Sequence, residues 1–346
     1  MIKYIIRRLV QAIPTFFGIT ILSYLIMVAA PGDPVAMMTF DPTIRVEERQ
    51  RLAERLGVND PWPVQYIRWL IGDDWMQFDF DEDGVPDERP TSGIDRVRYG
   101  ILRGDFGNSF YLKQPALQLI AERLPATLEL GIAVLLVSLT LGIPIGILAA
   151  VWRGGRFDQF TRVMAVVGNA VPNFWLGLIL ILIFGAWLDV LPMNGRCAPT
   201  RGGCPPLFQR IEYLVMPVTV LSLGGIAGYS RYMRASMLEQ INSDYVRTAR
   251  SKGLPDRIVW FRHGARNAMI PIATFLGPAL VGVLGGAVVT EQIFTWPGLG
   301  LLLITSIGRQ DYPLIMASVV IASILTIVGY ILSDVLYAII DPRIRF

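Results

Sequence analysis

The chain has 346 residues, of which 53% are hydrophobic and 17% charged, more apolar surface than a soluble protein of this length hides from water. Composition therefore excludes a water-soluble globular domain and points to an integral membrane protein, in which each spanning helix needs about 20 mostly apolar residues. The net charge of +3 excludes little, since orientation depends on where Lys and Arg lie, whereas two cysteines permit one disulfide and exclude a cysteine-rich scaffold.

Lys3, Arg7 and Arg8 precede the apolar run 9–30, an arrangement shared by signal peptides and by first transmembrane helices that keep their N-terminus in the cytoplasm. The run is longer than a usual signal core of about 7 to 15 residues. It predicts a retained helix, although Val28-Ala29-Ala30 has the form of a cleavage site. Residues 31–123 are polar, mixed in charge and without a spanning run, which predicts a small extracytoplasmic domain. Within it Ile44, Leu52 and Leu56 repeat at helical spacing among charged residues, and Gly57 closes that helix. Trp62, Tyr66, Trp69 and Trp75 suit either a membrane interface or the interior of the small domain.

Asp79, Asp81 and Asp83 then stand at alternate positions before Gly84 and Asp87. This is the opening of a calcium loop, in which carboxylates converge through a sharp glycine turn. Pro90 stands where a bidentate Glu closes such a loop, so the stretch reads either as a calcium site in the outer domain or as a solvated acidic loop.

The second spanning run is 127–152, broken by Gly142, Pro144 and Gly146, and Arg153 and Arg156 mark a return to the inner side. The third is 163–187. In it Asn169 and Asn173 fall one helical turn apart on one face, which suits either a substrate path or hydrogen bonding between helices. The outer loop 188–212 holds Cys197 and Cys204, placed for a disulfide on an oxidising side. Two cysteines make no zinc site, and the only histidine, His263, lies on the opposite side. The fourth run, 213–233, carries Pro217 and the close-packing glycines Gly224, Gly225 and Gly228.

A polar, basic segment separates the fourth run from the fifth, 270–290. Arg247, Arg250, Lys252, Arg257, Arg262 and Arg266 outnumber Asp244 and Asp256 there, which marks a cytoplasmic loop. Residues 245–252 favour helix, Gly253 suits a helix end and Pro255 discourages continuation, so the segment predicts two short helices with a bend. The fifth run contains Pro278 and a Gly282-x-x-x-Gly286 packing face, 291–312 reads as a short outer connection, and 313–340 is the sixth run. Asp334, in its last turns, belongs against protein or water near the inner surface. Six spans place both termini in the cytoplasm.

No H-E-x-x-H pair, phosphate-binding G-x-x-x-x-G-K-[ST] loop or other catalytic constellation is present, so energy for transport has to come from a partner protein or an ion gradient. A gradient-driven carrier or channel, the competing reading, calls for central buried carboxylates, and the runs show none.

Nine short stretches, in order, carry a likeness beyond composition. They are PGDP (31–34), LG-x-x-DP-x-x-x-QY-x-x-WL (56–70), GDFGNSF (104–110), LPATLELG (124–131) and VPNFWLGL (171–178), followed by DYVRTARSKGL (244–254), RHGARNAMIP (262–271), E-x-IF-x-WPGLG-x-L (291–302) and DVLYAIIDPRIRF (334–346). The chain resembles, along nearly its whole length, the permease subunits of the oligopeptide and dipeptide (peptide/nickel) ABC importers. The segment between Leu70 and Gly104 is longer and more acidic than the family pattern, so its role does not carry over.

That resemblance implies an all-α integral membrane protein with six transmembrane helices of the type I ABC importer permease fold. An outer-side domain lies between helices 1 and 2. Residues 1–30 would carry the first helix, 31–123 the extracytoplasmic domain and 124–346 the permease core, including a cytoplasmic coupling loop at 235–269. The chain would sit in the bacterial cytoplasmic (plasma) membrane. Its implied partners are a homologous second permease subunit, two cytoplasmic ATPase subunits that hold the ATP and Mg, an extracytoplasmic substrate-binding protein and membrane lipid; no nucleic acid and no cofactor of its own are implied.

In such importers the cytoplasmic loop forms a coupling helix that docks on an ATPase. Thr248, Ala249 and Gly253 fall at the Ala, Ala and Gly of the E-A-A-x-x-x-G loop pattern, and Arg247 replaces its Glu. Small residues at Ala249 and Gly253 are expected to let a partner surface approach, with Arg247, Arg250 and Lys252 pairing with its acidic groups.

Overall fold

A computed structural model describes residues 2–29, 53, 57, 59–76, 97–198, 204–285 and 287–340. Apart from an isolated bridge between Asn108 and Pro115, regular structure among the described residues is helical. A lipid environment requires this, because hydrocarbon offers no partner to a free backbone N–H or C=O and a helix satisfies both within itself. In chain order the helices are α1 (Ile2–Ala29), α2 (Trp62–Ile71), α3 (Ala116–Val151), α4 (Arg156–Ala170) and α5 (Asn173–Leu180), which runs into the π-helical stretch Ile181–Trp187. They continue with α6 (Ile211–Gln240), α7 (Asp244–Ser251) and α8, which opens at Asp256–Ile258, passes through the π-helical turn Val259–Gly264 and closes at Ala265–Ala268. The last are α9 (Ile270–Gly285), α10 (Val288–Ile293), α11 (Leu299–Gly308) and α12 (Tyr312–Ile340).

Among the described residues four helices, α1, α3, α6 and α12, are long and apolar enough to cross a membrane. The other expected spans differ from simple rods. The run 163–187 is not one helix but the pair α4 and α5, bent by 98°. The cause is local. A residue before proline is pushed out of the helical region, and Val171, before Pro172, is extended at φ −76 and ψ 122. The run 270–290 is divided between the 16-residue α9 and α10 beyond Ala287, whose backbone is non-helical at φ −110 and ψ 71. The stretch 291–312, expected as a plain connection, contains the ten-residue α11.

The chain forms two compact units, one made of Met1–Ile5, Arg123–Leu301 and Leu325–Phe346, the other of Ile6–Glu122 and Leu302–Ile324. In the first, α6 is the central element and touches α4, α5, α8, α9 and α10. Glycines let helices meet α6 at backbone distance. A Cβ on Gly146 of α3 would lie 2.5 Å from the Ser230 carbonyl oxygen and 2.6 Å from the Met233 Cβ, and one on Gly225 of α6 would lie 2.5 Å from the Ser138 hydroxyl. Such contact gives van der Waals attraction, the main adhesive between helices where lipid is as apolar as the protein. At 30 residues, α6 is about 45 Å long at about 1.5 Å per residue, some 15 Å more than a hydrocarbon core of about 30 Å.

In the second unit α2 packs on α1 through aromatic residues. The Tyr24 ring lies 5.6 Å from that of Tyr66 and 5.5 Å from that of Trp69. Tyr66 and Thr20 share a hydrogen bond of 2.9 Å, and Leu70 and Met316 complete the cluster. Tyr66 is therefore buried and Trp69 partly buried against α1, while Trp62 and Trp75 are exposed. Buried Arg68 is held by Asp60 at 2.5 Å and by Asp73 at 3.4 Å. The Asp311 carboxylate accepts hydrogen bonds from the Ser109 hydroxyl and, at 3.0 Å, from the Phe110 N–H, fixing the GDFGNSF stretch. Asp79, Asp81, Asp83 and Asp87 lie outside the described residues, as do Ile44, Leu52 and Leu56. Among the described residues no group of three or more His, Cys, Asp or Glu could hold a metal ion.

Replacing Gly146 with Leu places a side chain where the α6 backbone already stands. We expect a loss of about 1 to 3 kcal/mol, the usual range for overpacking, seen as a lowered melting temperature of the detergent-extracted protein. The same change at Gly228, where an added Cβ meets nothing within 4 Å, should leave that temperature nearly unchanged.

Candidate coupling site

The basic segment after α6 forms the bend that its sequence predicts. Asp244 lies in the first turn of α7 and Arg250 in the last, so each charge complements the helix end beside it. The Thr248 hydroxyl donates to the Asp244 carbonyl at 2.9 Å, and the Ser251 hydroxyl donates to that of Arg247 at 3.1 Å. The helix stops at Gly253, whose φ of +74 is a left-handed conformation costly for most residues with a Cβ. The Gly253 N–H donates to the Arg250 carbonyl at 2.9 Å, and Pro255 caps α8 in a new direction.

The two faces of α7 differ sharply. Val246 is fully buried and Ala249 only 5% exposed, and both join a cluster with Met233 and Met237 of α6 and Val259, Trp260, Ala265 and Ala268 of α8. Ile147 and Ala150 of α3 belong to the same cluster. Arg247, Thr248, Arg250, Lys252 and Gly253 are exposed. The Arg250 guanidinium stacks 4.3 Å over the Trp260 ring, a cation–π contact of about 0.5 to 1 kcal/mol at an exposed site.

This geometry divides the expected coupling residues. Gly253 is open, with nothing within 4 Å of an added Cβ. Ala249 is corrected: its small side chain accommodates close packing within the chain and faces inward, not toward a partner surface. A helix laid on an apolar seat must turn one stripe inward, and positions three apart share that stripe. Val246 and Ala249 occupy it, which the spacing alone could have shown.

Asn169 and Asn173 do not share a face, because the bend at Val171 and Pro172 falls between them. The Asn169 amide donates to the Ala165 carbonyl at 2.8 Å, a bond within its own helix. Cys197 and Cys204 are disulfide-paired in the structure, with Cα atoms 5.6 Å apart.

Three buried polar clusters in the same unit escaped the sequence reading. Asp158, at the start of α4 and fully buried, accepts a two-pronged contact from Arg234 of α6, Nε at 2.6 Å and Nη2 at 2.8 Å. Glu129 of α3 receives both Arg210, with two contacts at 2.7 Å, and Arg196, whose Nε lies at 3.0 Å. Arg196 thus ties the loop that enters Cys197 to α3. Glu291 of α10, fully buried, accepts from the Thr127 hydroxyl at 3.1 Å and the Leu301 N–H at 3.0 Å. Thr127 in turn accepts from the Leu299 N–H at 2.7 Å, and the Trp296 indole donates to the Ala126 carbonyl at 2.9 Å. The LPATLELG and E-x-IF-x-WPGLG-x-L stretches are therefore partners in space. A Cβ on Gly298 would come within 2.5 Å of the Glu291 carboxyl, so that turn depends on glycine.

Among the described residues the structure is helical, with four helices long and apolar enough to cross a membrane and a two-faced basic helix seated at the end of α6, the architecture of a polytopic membrane protein. A family model, binding-protein-dependent transport system inner membrane component, matches residues 142–346, and its N-terminal counterpart matches residues 1–84. The chain is 41% identical over 347 residues to the oligopeptide transport system permease protein AppB of Bacillus subtilis (strain 168), covering 100% of each protein. It is 33% identical over 364 residues to the dipeptide transport system permease protein DppB of Escherichia coli (strain K12), covering 100% of this chain and 99% of that protein. Among solved structures, the inward-facing MetNI methionine ABC transporter matches with a TM-score of 0.52 at 15% identity, over 65% of this chain and 97% of that one. This match supports the type I importer permease fold. The chain belongs to the family of binding-protein-dependent transport system inner membrane components. It is a multi-pass ABC importer permease.

Burying a charge at position 249 without a partner should lift α7 from its seat. Susceptibility to trypsin at Arg247, Arg250 and Lys252 is the readout: Ala249→Glu should be cut at least about tenfold faster than the unaltered chain, as the free energy of local opening falls by about 1.4 kcal/mol or more. Thr248→Glu, on the exposed face, should be cut at the unaltered rate.

Proposed function

We propose that this permease forms half of a translocation path for di- or oligopeptides and receives the work of ATP hydrolysis through α7. Both functions are completed by other subunits: a homologous second permease closes the path, two cytoplasmic ATPases carry ATP and Mg, and an extracytoplasmic binding protein delivers the substrate. Both termini lie in the cytoplasm of a bacterial cell. The substrate class is supported by the names of the relatives, which are peptide permeases over essentially the full length of the chain.

The observation that carries the coupling role is the two-faced α7. Its inner stripe is anchored to the end of α6, so force applied to its outer face reaches a membrane-spanning helix instead of being lost in a loose loop. Its outer face offers Arg247, Arg250 and Lys252 beside the open Gly253, which suits an acidic partner cleft. Alternating access then follows from ATPase closure transmitted as a rigid movement of residues 244–266.

The test is reconstitution with both ATPases, the second permease and the binding protein. Gentle extraction should bring these partners down together with the chain, and ATP should drive peptide uptake. Gly253→Trp should lower uptake by about tenfold or more, equivalent to about 1.4 kcal/mol of lost coupling, while the ATPases still hydrolyse ATP. Gly253→Asn, which tolerates a left-handed backbone, should keep most of the uptake. Uptake driven by an ion gradient with no ATPase present would overturn the proposal.

A further inference from the structure

Asp158 and Arg234 stand out because they form a charged pair that is withdrawn from water where α4 begins and α6 nears its end. The Asp158 side chain is 1% exposed and that of Arg234 22%. One carboxylate joins three elements. It accepts the two contacts from Arg234 of α6, it accepts the Gly154 N–H at 2.9 Å from the turn that links α3 to α4, and it sits in the first turn of α4, where a negative charge suits the helix end. Arg162 adds a longer contact at 3.6 Å.

Arg234 also has particular neighbours along its own helix. Met233 and Met237 flank it on α6, both fully buried, and both belong to the apolar cluster that seats α7 and α8. The residue that grips α4 is thus one position away from a residue that grips the coupling segment. Beyond Asp158, α4 leads into the 98° bend and then into α5.

We propose that the Asp158–Arg234 pair is a strut that transmits movement of the coupling segment to the bent pair α4 and α5. Apolar packing between α4 and α6, such as Gly168 against Leu223, is non-directional and lets helices slide. A two-pronged guanidinium–carboxylate contact fixes both distance and orientation. Buried ion pairs add little to stability relative to apolar packing, but they specify geometry. Asp158 and Arg234 are positioning residues in this proposal, acting through the helices they join. The strut rests on the coupling role of α7 proposed above.

The test uses the complete assembly in proteoliposomes, with a radiolabelled dipeptide and a radiolabelled pentapeptide in parallel, and reads uptake together with ATP hydrolysis. Asp158→Asn keeps the shape and removes the charge. Uptake per ATP hydrolysed should fall about tenfold, within the range by which coupling residues shift linked equilibria, while hydrolysis itself persists. Arg234→Lys keeps the charge without the fork and should give an intermediate ratio. That variant also serves if the Asp158→Asn chain does not assemble.

An unchanged ratio in Asp158→Asn or, where that chain does not assemble, in Arg234→Lys would overturn the strut. So would a proportional loss of hydrolysis and uptake, which a merely structural role predicts. If the unaltered assembly takes up neither peptide with ATP, the proposed function fails; if it does so and Asp158→Asn couples normally, the strut alone fails.

Discussion

The apolar seat under α7 is the contact on which the rest of the account depends. An eight-residue helix is too short to hold itself together in water, where isolated helices under about 12 residues are marginal. Burial of Val246 and Ala249 against Met233, Met237, Val259 and Trp260 supplies what the local sequence lacks. The same contact fixes which side chains remain outside. A loop without this seat would be a topology marker only, a set of arginines on the inner face of a membrane.

Burial of polar groups in the first unit follows one rule. Asp158, Glu129 and Glu291 are each withdrawn from water, and each is satisfied by donors from an element distant in sequence. Breaking such a pair leaves a charge or a backbone group with no partner, so these contacts fix geometry even where they add little net stability. Their placement differs. Asp158 joins the turn after α3 to α4 and α6, Glu129 joins α3 to the disulfide-bearing loop, and Glu291 joins α3 to the turn after α10.

Much of the fold could be read from hydropathy, because α1, α3, α6 and α12 are continuous apolar runs and lipid demands helices of them. The bend in the basic segment was also legible, through Gly253 and Pro255. The 98° break was not, because the run 163–187 stays apolar across it. The extended Val171 shows that the restriction on a residue before proline was the signal. Ala249 faces inward for a different reason than its motif position implies. A motif position suggests a partner, whereas its spacing of three from Val246 suggests a shared buried stripe. Polar pairs such as Asp158 with Arg234 and Thr127 with Glu291 are separated by 76 and 164 positions, and no local pattern in a single sequence connects residues so far apart.

Cysteine cross-linking reads the division of α7 into an inner and an outer face directly. With the native Cys197 and Cys204 replaced by Ser, single cysteines at 248 and at 249 would be tested in membranes holding the complete assembly, using a short bifunctional reagent. A cysteine at 248 should cross-link to an ATPase subunit with a yield that changes when ATP is added, and a cysteine at 249 should not react. Equal cross-linking from both positions, or from 249 alone, would contradict the account.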